Sequence, residues 1–219
     1  MNKTGHVKRE YRSPLRSAQA VGTRRAIVAA ATRLFVEVGY GATSIDVIAA
    51  EAGVSRATIF SVAGNKAALL KMAYDVALVG DDDPVPLPLR PESIAIRAEP
   101  DAHLYLAKYA GLVTTLGERV AAIYEAVRGA ASADPEVRPV WDKIQAERRI
   151  GAAHVVADTQ SKAPLRPNLD LETAADVVWV FIDPGLFHML VTVRRWPPRR
   201  YEGWLAAHLQ HELLGAQLA

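Results

Sequence analysis

The chain has 219 residues, half of them apolar and 23% charged, a composition that supports a packed core and argues against a disordered chain. It contains no cysteine, which excludes disulfides, thiolate nucleophiles, Cys-ligated zinc and iron–sulfur clusters. The net charge of +2 is unevenly spread, with residues 1–72 carrying +7 and residues 73–219 carrying −5, as in a protein that presses one end against a polyanion.

Residues 1–20 hold Lys3, Lys8, Arg9, Arg12 and Arg16 against Glu10 alone. They read as a flexible basic arm, with a plain solubilising tail as the alternative. From about 23 to 38, Ile27, Ala30, Ala31, Leu34, Phe35 and Val38 share one helical face, which Gly39 and Gly41 end. Thr43 with Asp46 three residues on predicts a capped short helix through Ala52. Gly53 makes the turn, Ser55 caps a third helix to about Ser61, and Asn65 caps a fourth that carries Leu69, Leu70, Ala73 and Ala77. The segment Gly80–Pro91, with three Asp and four Pro, is the joint between head and body. Its Asp81-Asp82-Asp83 run reads as a solvated helix end rather than a metal site.

The body repeats the helical pattern. Leu106, Tyr109, Val113, Leu116, Val120, Ile123 and Val127 recur at alternating spacings of 3 and 4, a long amphipathic helix over about 101–131. Asp134-Pro135 predicts a helix opening there and running to about 158. Asn168 or Asp170 starts another, Asp183-Pro184 kinks or restarts it, and Pro197-Pro198 precedes the last. The longest unbroken apolar runs, Ala26–Ala31 and Val177–Ile182, have six residues, too short for a bilayer span or a signal-peptide core. The expectation is a cytoplasmic all-α protein of about nine helices with no membrane partner. It divides into an arm over 1–20, a three-helix helix-turn-helix head over 21–66 and a larger helical body over 67–219.

The informative stretch is Ile45–Lys66. Two short helices joined by a three- to four-residue turn cross steeply, which demands a small residue where they touch and a flexible one at the turn. Ala49, four residues before Gly53, and Ile59, six after it, satisfy this, and Ile48 and Val54 complete the packing. A plain αα-hairpin inside a bundle meets the same spacing. With an amphipathic helix and a basic arm in front, the helix-turn-helix is the better reading.

Arg25–Phe35, Gly39-Tyr40, Thr43, Ile48-Ala49, Ala52–Ser55, Thr58–Phe60 and Lys66 with Leu69-Leu70 closely resemble the DNA-binding head of TetR-family transcriptional regulators. A weaker likeness to the family's final helices covers Trp179, Asp183–Leu186, Trp196, Tyr201, Trp204-Leu205 and Leu213-Leu214. The resemblance implies a homodimer on a near-palindromic double-stranded DNA operator, with a divergent body that holds a small-molecule effector. Three positions depart from the family's habit: Phe60 where a tyrosine hydroxyl usually meets phosphate, and Val62 and Ala63 where aromatic residues are common. They motivate a second reading, a helical small-molecule sensor or interaction protein that has lost specific DNA binding.

On the first reading, Thr43 and Lys66 meet phosphates, and Arg24 and Arg25 touch the backbone or the minor groove. Ser55, Arg56, Ala57 and Thr58 form the leading turn of the recognition helix, with Phe60 and Ser61 completing the DNA-binding face. Arg56 either reads a guanine edge or grips phosphate. In the body, Tyr105, Tyr109, Trp141, His154 and Trp179 are candidates to line an effector pocket. Phe181, Leu186, Leu190, Trp204, Leu205, His208 and Leu213 are candidate dimer contacts. His208, His211 and Glu212 have metal-ligand spacing, but on a terminal helix they read as surface or subunit contact. There is no Gly-rich phosphate loop, G-x-S-x-G elbow or His/carboxylate zinc motif, so no catalytic residue, metal or cofactor is assigned and the chain is not expected to be an enzyme.

Overall fold

The amphipathic stretch after the arm folds into α1 (Pro14–Glu37), whose buried face is Ile27, Ala30, Ala31, Leu34 and Phe35. A computed structural model describes residues 14–81, 83 and 85–215 of the chain. Helix α1 starts at Pro14, so the last seven residues of the expected arm are helical, and the rest of the arm lies outside the described residues. Helices α2 (Ile45–Ala52) and α3 (Arg56–Ala63) follow, capped by Ser44 and Ser55. Between them Gly53 sits at φ +67°, a left-handed conformation that lets its N–H and that of Val54 return to the carbonyls of Ala49 and Ala50. Ile48, Ala49 and Ile59 are buried at the crossing, as the spacing requires. Fully burying a side chain such as Ile27, Phe35, Ile48 or Ile59 contributes about 1.5–3 kcal/mol relative to leaving it exposed.

Helix α4 (Lys66–Val79), capped by Asn65, belongs to both halves of the molecule. It packs on α1 and also on the long α6 (Ala102–Ala133), so one apolar cluster runs from Ile27 and Leu69 to Val120, Ile123, Val127 and Ile144. The joint after α4 is a short strap. Arg90 reaches back to both Asp81 carboxylate oxygens at 2.6 and 2.7 Å, and a 3₁₀ turn (Leu87–Leu89) leads into α5 (Pro91–Arg97).

Asp101 caps α6 through the Leu104 N–H. Asp134 does not open the next helix as expected. It terminates α6 and anchors a turn over 135–137, its carbonyl accepting from the buried Val137, and α7 begins at Arg138 (Arg138–Lys162). Asp170 caps α8 (Leu171–Phe181), and Asp183 then starts the four-residue α9 (Pro184–Phe187) through the Gly185 N–H. A π-helical turn (His188–Val193) follows, closed by the Arg194 N–H on the Met189 carbonyl, before α10 (Pro198–Leu214). Among the described residues there are ten α-helical segments, nine of them seven residues or longer, and no strand.

By length and composition Leu171–Val193 is apolar enough to cross a membrane, although Asp176 and Asp183 limit its longest unbroken apolar run to Val177–Ile182. In the fold the Asp183-Pro184 break splits the stretch into α8, α9 and the π turn, packed on α6, α7 and α10. A second apolar cluster gathers here around Leu106, Val113, Val178, Tyr201, Leu205 and Leu209.

Candidate functional site

The end of the head is formed by α2 and α3. Buried Ile59 anchors α3, and Arg56, Ala57, Phe60 and Ser61 stand exposed on its other side, Phe60 at 43%. Ser55 Oγ accepts from the Thr58 N–H at 3.1 Å and lies 2.8 Å from the Thr58 hydroxyl, so this pair holds the leading turn in shape. Arg56 Nη1 donates to Asp46 Oδ2 at 2.9 Å, with both side chains well exposed. Such a pair contributes only about 0.2–1 kcal/mol. Arg24 and Arg25 lie on the exposed side of α1.

Two expected phosphate contacts have other partners. Thr43 is 2% exposed, and its hydroxyl donates inward to the Gly39 carbonyl at 2.7 Å and lies 3.2 Å from that of Leu34. The exposed cap of α2 is Ser44, which accepts from the Val47 N–H. Thr43 is therefore a structural residue and is withdrawn from the DNA-contact set. Lys66 opens α4, where a cation opposes the helix dipole. Its ammonium rests 4.0 Å over the Tyr40 ring, a contact that offsets the unfavourable position without any phosphate. Burial lowers the Lys66 pKa against the opposing pull of Asp134, and burial raises the Tyr40 hydroxyl to about 12.

Between head and body lies a cavity of about 860 Å³, walled by α4, α6, α7, α9, α10, the strap, and Val21 and Arg24 of α1. Tyr74, Tyr109, Val113, Leu116, Phe187 and Tyr201 supply much of its apolar surface, and Gly117 lets Phe187 approach α6. A Cβ at Gly117 would stand 2.5 Å from Phe187 Cδ2. Arg148 stands on the wall, its side chain 9% exposed. It pairs with Asp183 Oδ2 at 2.9 Å and donates to the Trp179 carbonyl at 2.7 Å and to Gln145 at 2.6 Å. Lys71 is likewise held between Asp75 at 2.6 Å and Glu147 at 3.2 Å, which ties α4 to α7. Burial raises the Asp75 pKa, and Lys71 partly opposes that.

Of the five body residues expected at a pocket, only Tyr109 lines this cavity. Tyr105 is buried beneath it, stacked on Tyr109 with its hydroxyl on Asp158 at 3.3 Å. Trp141 packs on Tyr124 in the head-side core, His154 is exposed on α7, and Trp179 packs its ring against Arg148. Tyr74, Arg148 and Tyr201 were missed. The regular spacing of α6 pointed to its own wall, but nothing local marks a cavity residue on α4, α7 or α10.

The last helices present an apolar face. Val180, Met189 and Val193 are exposed, and beside them Phe181, Leu186, Leu190, Trp204 and His208 are half-buried. The His208 ring lies tilted against Trp204 at 4.6 Å, and its Nδ1–H donates to the Trp204 carbonyl of its own helix at 2.8 Å. Leu205 and Leu213 are fully buried inside the chain, because α10 turns that edge toward α6, so they are removed from the dimer set.

Residues 27–73, which span α1 to α4, match the family described as bacterial regulatory proteins, tetR family. The HTH-type transcriptional regulator YdeS of Bacillus subtilis (strain 168) is 29% identical over 172 residues, 78% of this chain and 80% of that one. The fold is similar to that of FadR from Bacillus subtilis, solved in complex with stearoyl-CoA, at 17% identity and a TM-score of 0.64 over 88% of this chain and 99% of that one. It is similar also to the TetR regulator TylP from Streptomyces fradiae, at 21% identity and a TM-score of 0.62 over 93% of each.

Proposed function

We propose that the chain is a regulator of the TetR family, a ligand-responsive repressor that binds a near-palindromic operator as a homodimer, a reading that the family match over 27–73 and the likeness to YdeS support. The observation that carries this reading is the exposed row Arg56, Ala57, Phe60 and Ser61 on an α3 otherwise anchored by Ile59. A helix held in this way enters the major groove by its first turns. A bidentate pair with guanine O6 and N7 discriminates by about 1–3 kcal/mol. That exceeds the roughly 0.2–1 kcal/mol holding Arg56 on Asp46, so the arginine transfers to the base. Ala57 and Phe60 offer apolar contact to a thymine methyl, which suits a phenylalanine where the family's tyrosine would address phosphate. Ser61, Arg24 and Arg25 are left for the backbone.

The doubled head comes from the exposed face around Val180, Met189 and Val193, which a second copy covers. Helix α4 forms one wall of the cavity and packs on α1, so an effector seated there displaces the head. A coupling of about 1–3 kcal/mol gives a 5- to 150-fold change in operator affinity. FadR was solved holding stearoyl-CoA in a similar fold, which supports a body that holds effectors. On this reading the protein binds and does not catalyse.

Selection from randomised duplexes, followed by fluorescence anisotropy at about 0.15 M salt, tests the proposal. Arg56→Ala relaxes base preference at one position in each half-site. Lys66→Ala separates its two roles: a salt slope lowered by about 0.9 with all sequences weakened alike assigns it a phosphate, and an unchanged slope leaves it on Tyr40 alone. Absence of any enriched sequence favours the alternative, a sensor without specific DNA binding.

A further inference from the structure

Resting on the effector reading of the cavity, we propose that its ligand is an uncharged, largely apolar molecule with an oxygen acceptor for the Tyr201 hydroxyl. Tyr201 is fully buried, lines the cavity, and its hydroxyl has no hydrogen-bond partner among the described residues. Arg148 Nε, on α7 where Tyr201 is on α10, belongs to a second lining residue and is a buried donor without one. Buried donors are ordinarily paired, so two left unpaired in one cavity mark where an acceptor sits.

The charge pattern says what kind of molecule carries that acceptor. The least exposed cations of the lining are neutralised within the chain, Arg148 by Asp183 and Lys71 by Asp75 and Glu147, and Asp81 is paired with Arg90. Arg24, Asp83 and Lys143 also line the cavity but stand exposed to solvent, so among the described residues no buried unpaired cation remains for a carboxylate or phosphate and no buried unpaired anion for an ammonium. An ion entering this wall would lose its hydration without a counter-charge. Burial raises the pKa of the Tyr74, Tyr109 and Tyr201 hydroxyls, so all three remain neutral donors at physiological pH. The volume, about 860 Å³, falls in the range of drug-sized ligand sites.

Calorimetric titration of the full-length protein without DNA, with four naphthalene probes of similar size, tests this. The probes are 2-acetylnaphthalene, 2-naphthoate, 2-ethylnaphthalene and (2-naphthyl)methyltrimethylammonium. The ketone is expected to bind at least about tenfold tighter than either ion. Its advantage over 2-ethylnaphthalene is expected to be roughly 2- to 10-fold, and Tyr201→Phe erases it. Because the hydroxyl is unpaired, that variant leaves the unliganded melting temperature unchanged or raises it by about 2–4 °C. Val113→Trp, which fills the cavity from α6, blocks the ketone. Tighter binding of either ion, an acetyl preference that survives Tyr201→Phe, a fall in that variant's melting temperature, or no binding by any probe overturns the proposal. None of these titrations involves an operator, so loss of the DNA-binding reading would show separately.

Discussion

Replacing Arg148 by methionine tests how the body holds its buried charge. Methionine keeps much of the aliphatic volume but removes the 2.9 Å pair with Asp183 and the bond to the Trp179 carbonyl at the end of α8. Breaking a buried pair from one side costs about 3–5 kcal/mol when the stranded partner is fully desolvated. Asp183 is 30% exposed and keeps the Tyr124 hydroxyl at 2.8 Å and the Gly185 N–H at 2.7 Å. Water and those two donors recover part of the loss, which leaves about 2–3 kcal/mol. Asp183→Asn alone strands the arginine at similar cost. The double variant strands neither, so a double-mutant cycle should return a coupling of about 1–3 kcal/mol. Urea unfolding at several protein concentrations measures all four proteins, because a proposed dimer would make stability concentration-dependent. A single Arg148→Met loss below about 0.5 kcal/mol, or an additive cycle, would refute the reasoning.

Gly117→Ala forces its new methyl against Phe187 and should destabilise by about 1–3 kcal/mol, measured as a drop in urea midpoint; an unchanged midpoint means that α9 can retreat freely. Arg90 holds the Asp81 carboxyl down at about 2, below its ordinary 3.8. The strap contact is therefore complete above about pH 4 and is lost as pH falls from there through 2, so the Asp81 side-chain carboxyl followed by NMR should titrate at about 2 and move back toward 3.8 in Arg90→Ala. Titration of the wild-type carboxyl near 3.8 would contradict the pairing. Ser55→Ala removes the cap of α3 and should cost about 1 kcal/mol in thermal unfolding, with operator affinity falling alongside. Met189→Glu places a charge in the exposed apolar face and should shift sedimentation toward monomer, whereas the same change at exposed Leu104, on the outer side of α6, should not.

The local rules of helix initiation and turning were legible before any coordinates. Ser55, Asn65 and Asp170 cap the helices they precede, and Gly53 takes the left-handed turn between α2 and α3. These outcomes depend on a few neighbouring residues, and so does the exposed row on α3, which the position of Ile59 sets at four-residue range. The resemblance across Arg25–Leu70 is of the same local kind, and it pointed to the family and to α3 as the proposed DNA-reading helix.

Longer-range choices belong to the tertiary structure. Thr43 and Ser44 are both chemically fit to cap α2, and only the fold of the chain back against α1 decided that Thr43 turns inward. Lys66 finds Tyr40 from 26 positions away. The 3,4 stripe of α6 announces one apolar face, yet Leu106 and Val127 end in core while Tyr109 and Leu116 line a cavity. A cavity exists only where several helices fail to close on one another, and here α4, α6, α7, α9 and α10 meet from segments far apart in the chain. Periodicity reports that a side chain faces inward. Whether it meets a neighbour or an opening depends on the distances between helices, which no single segment encodes.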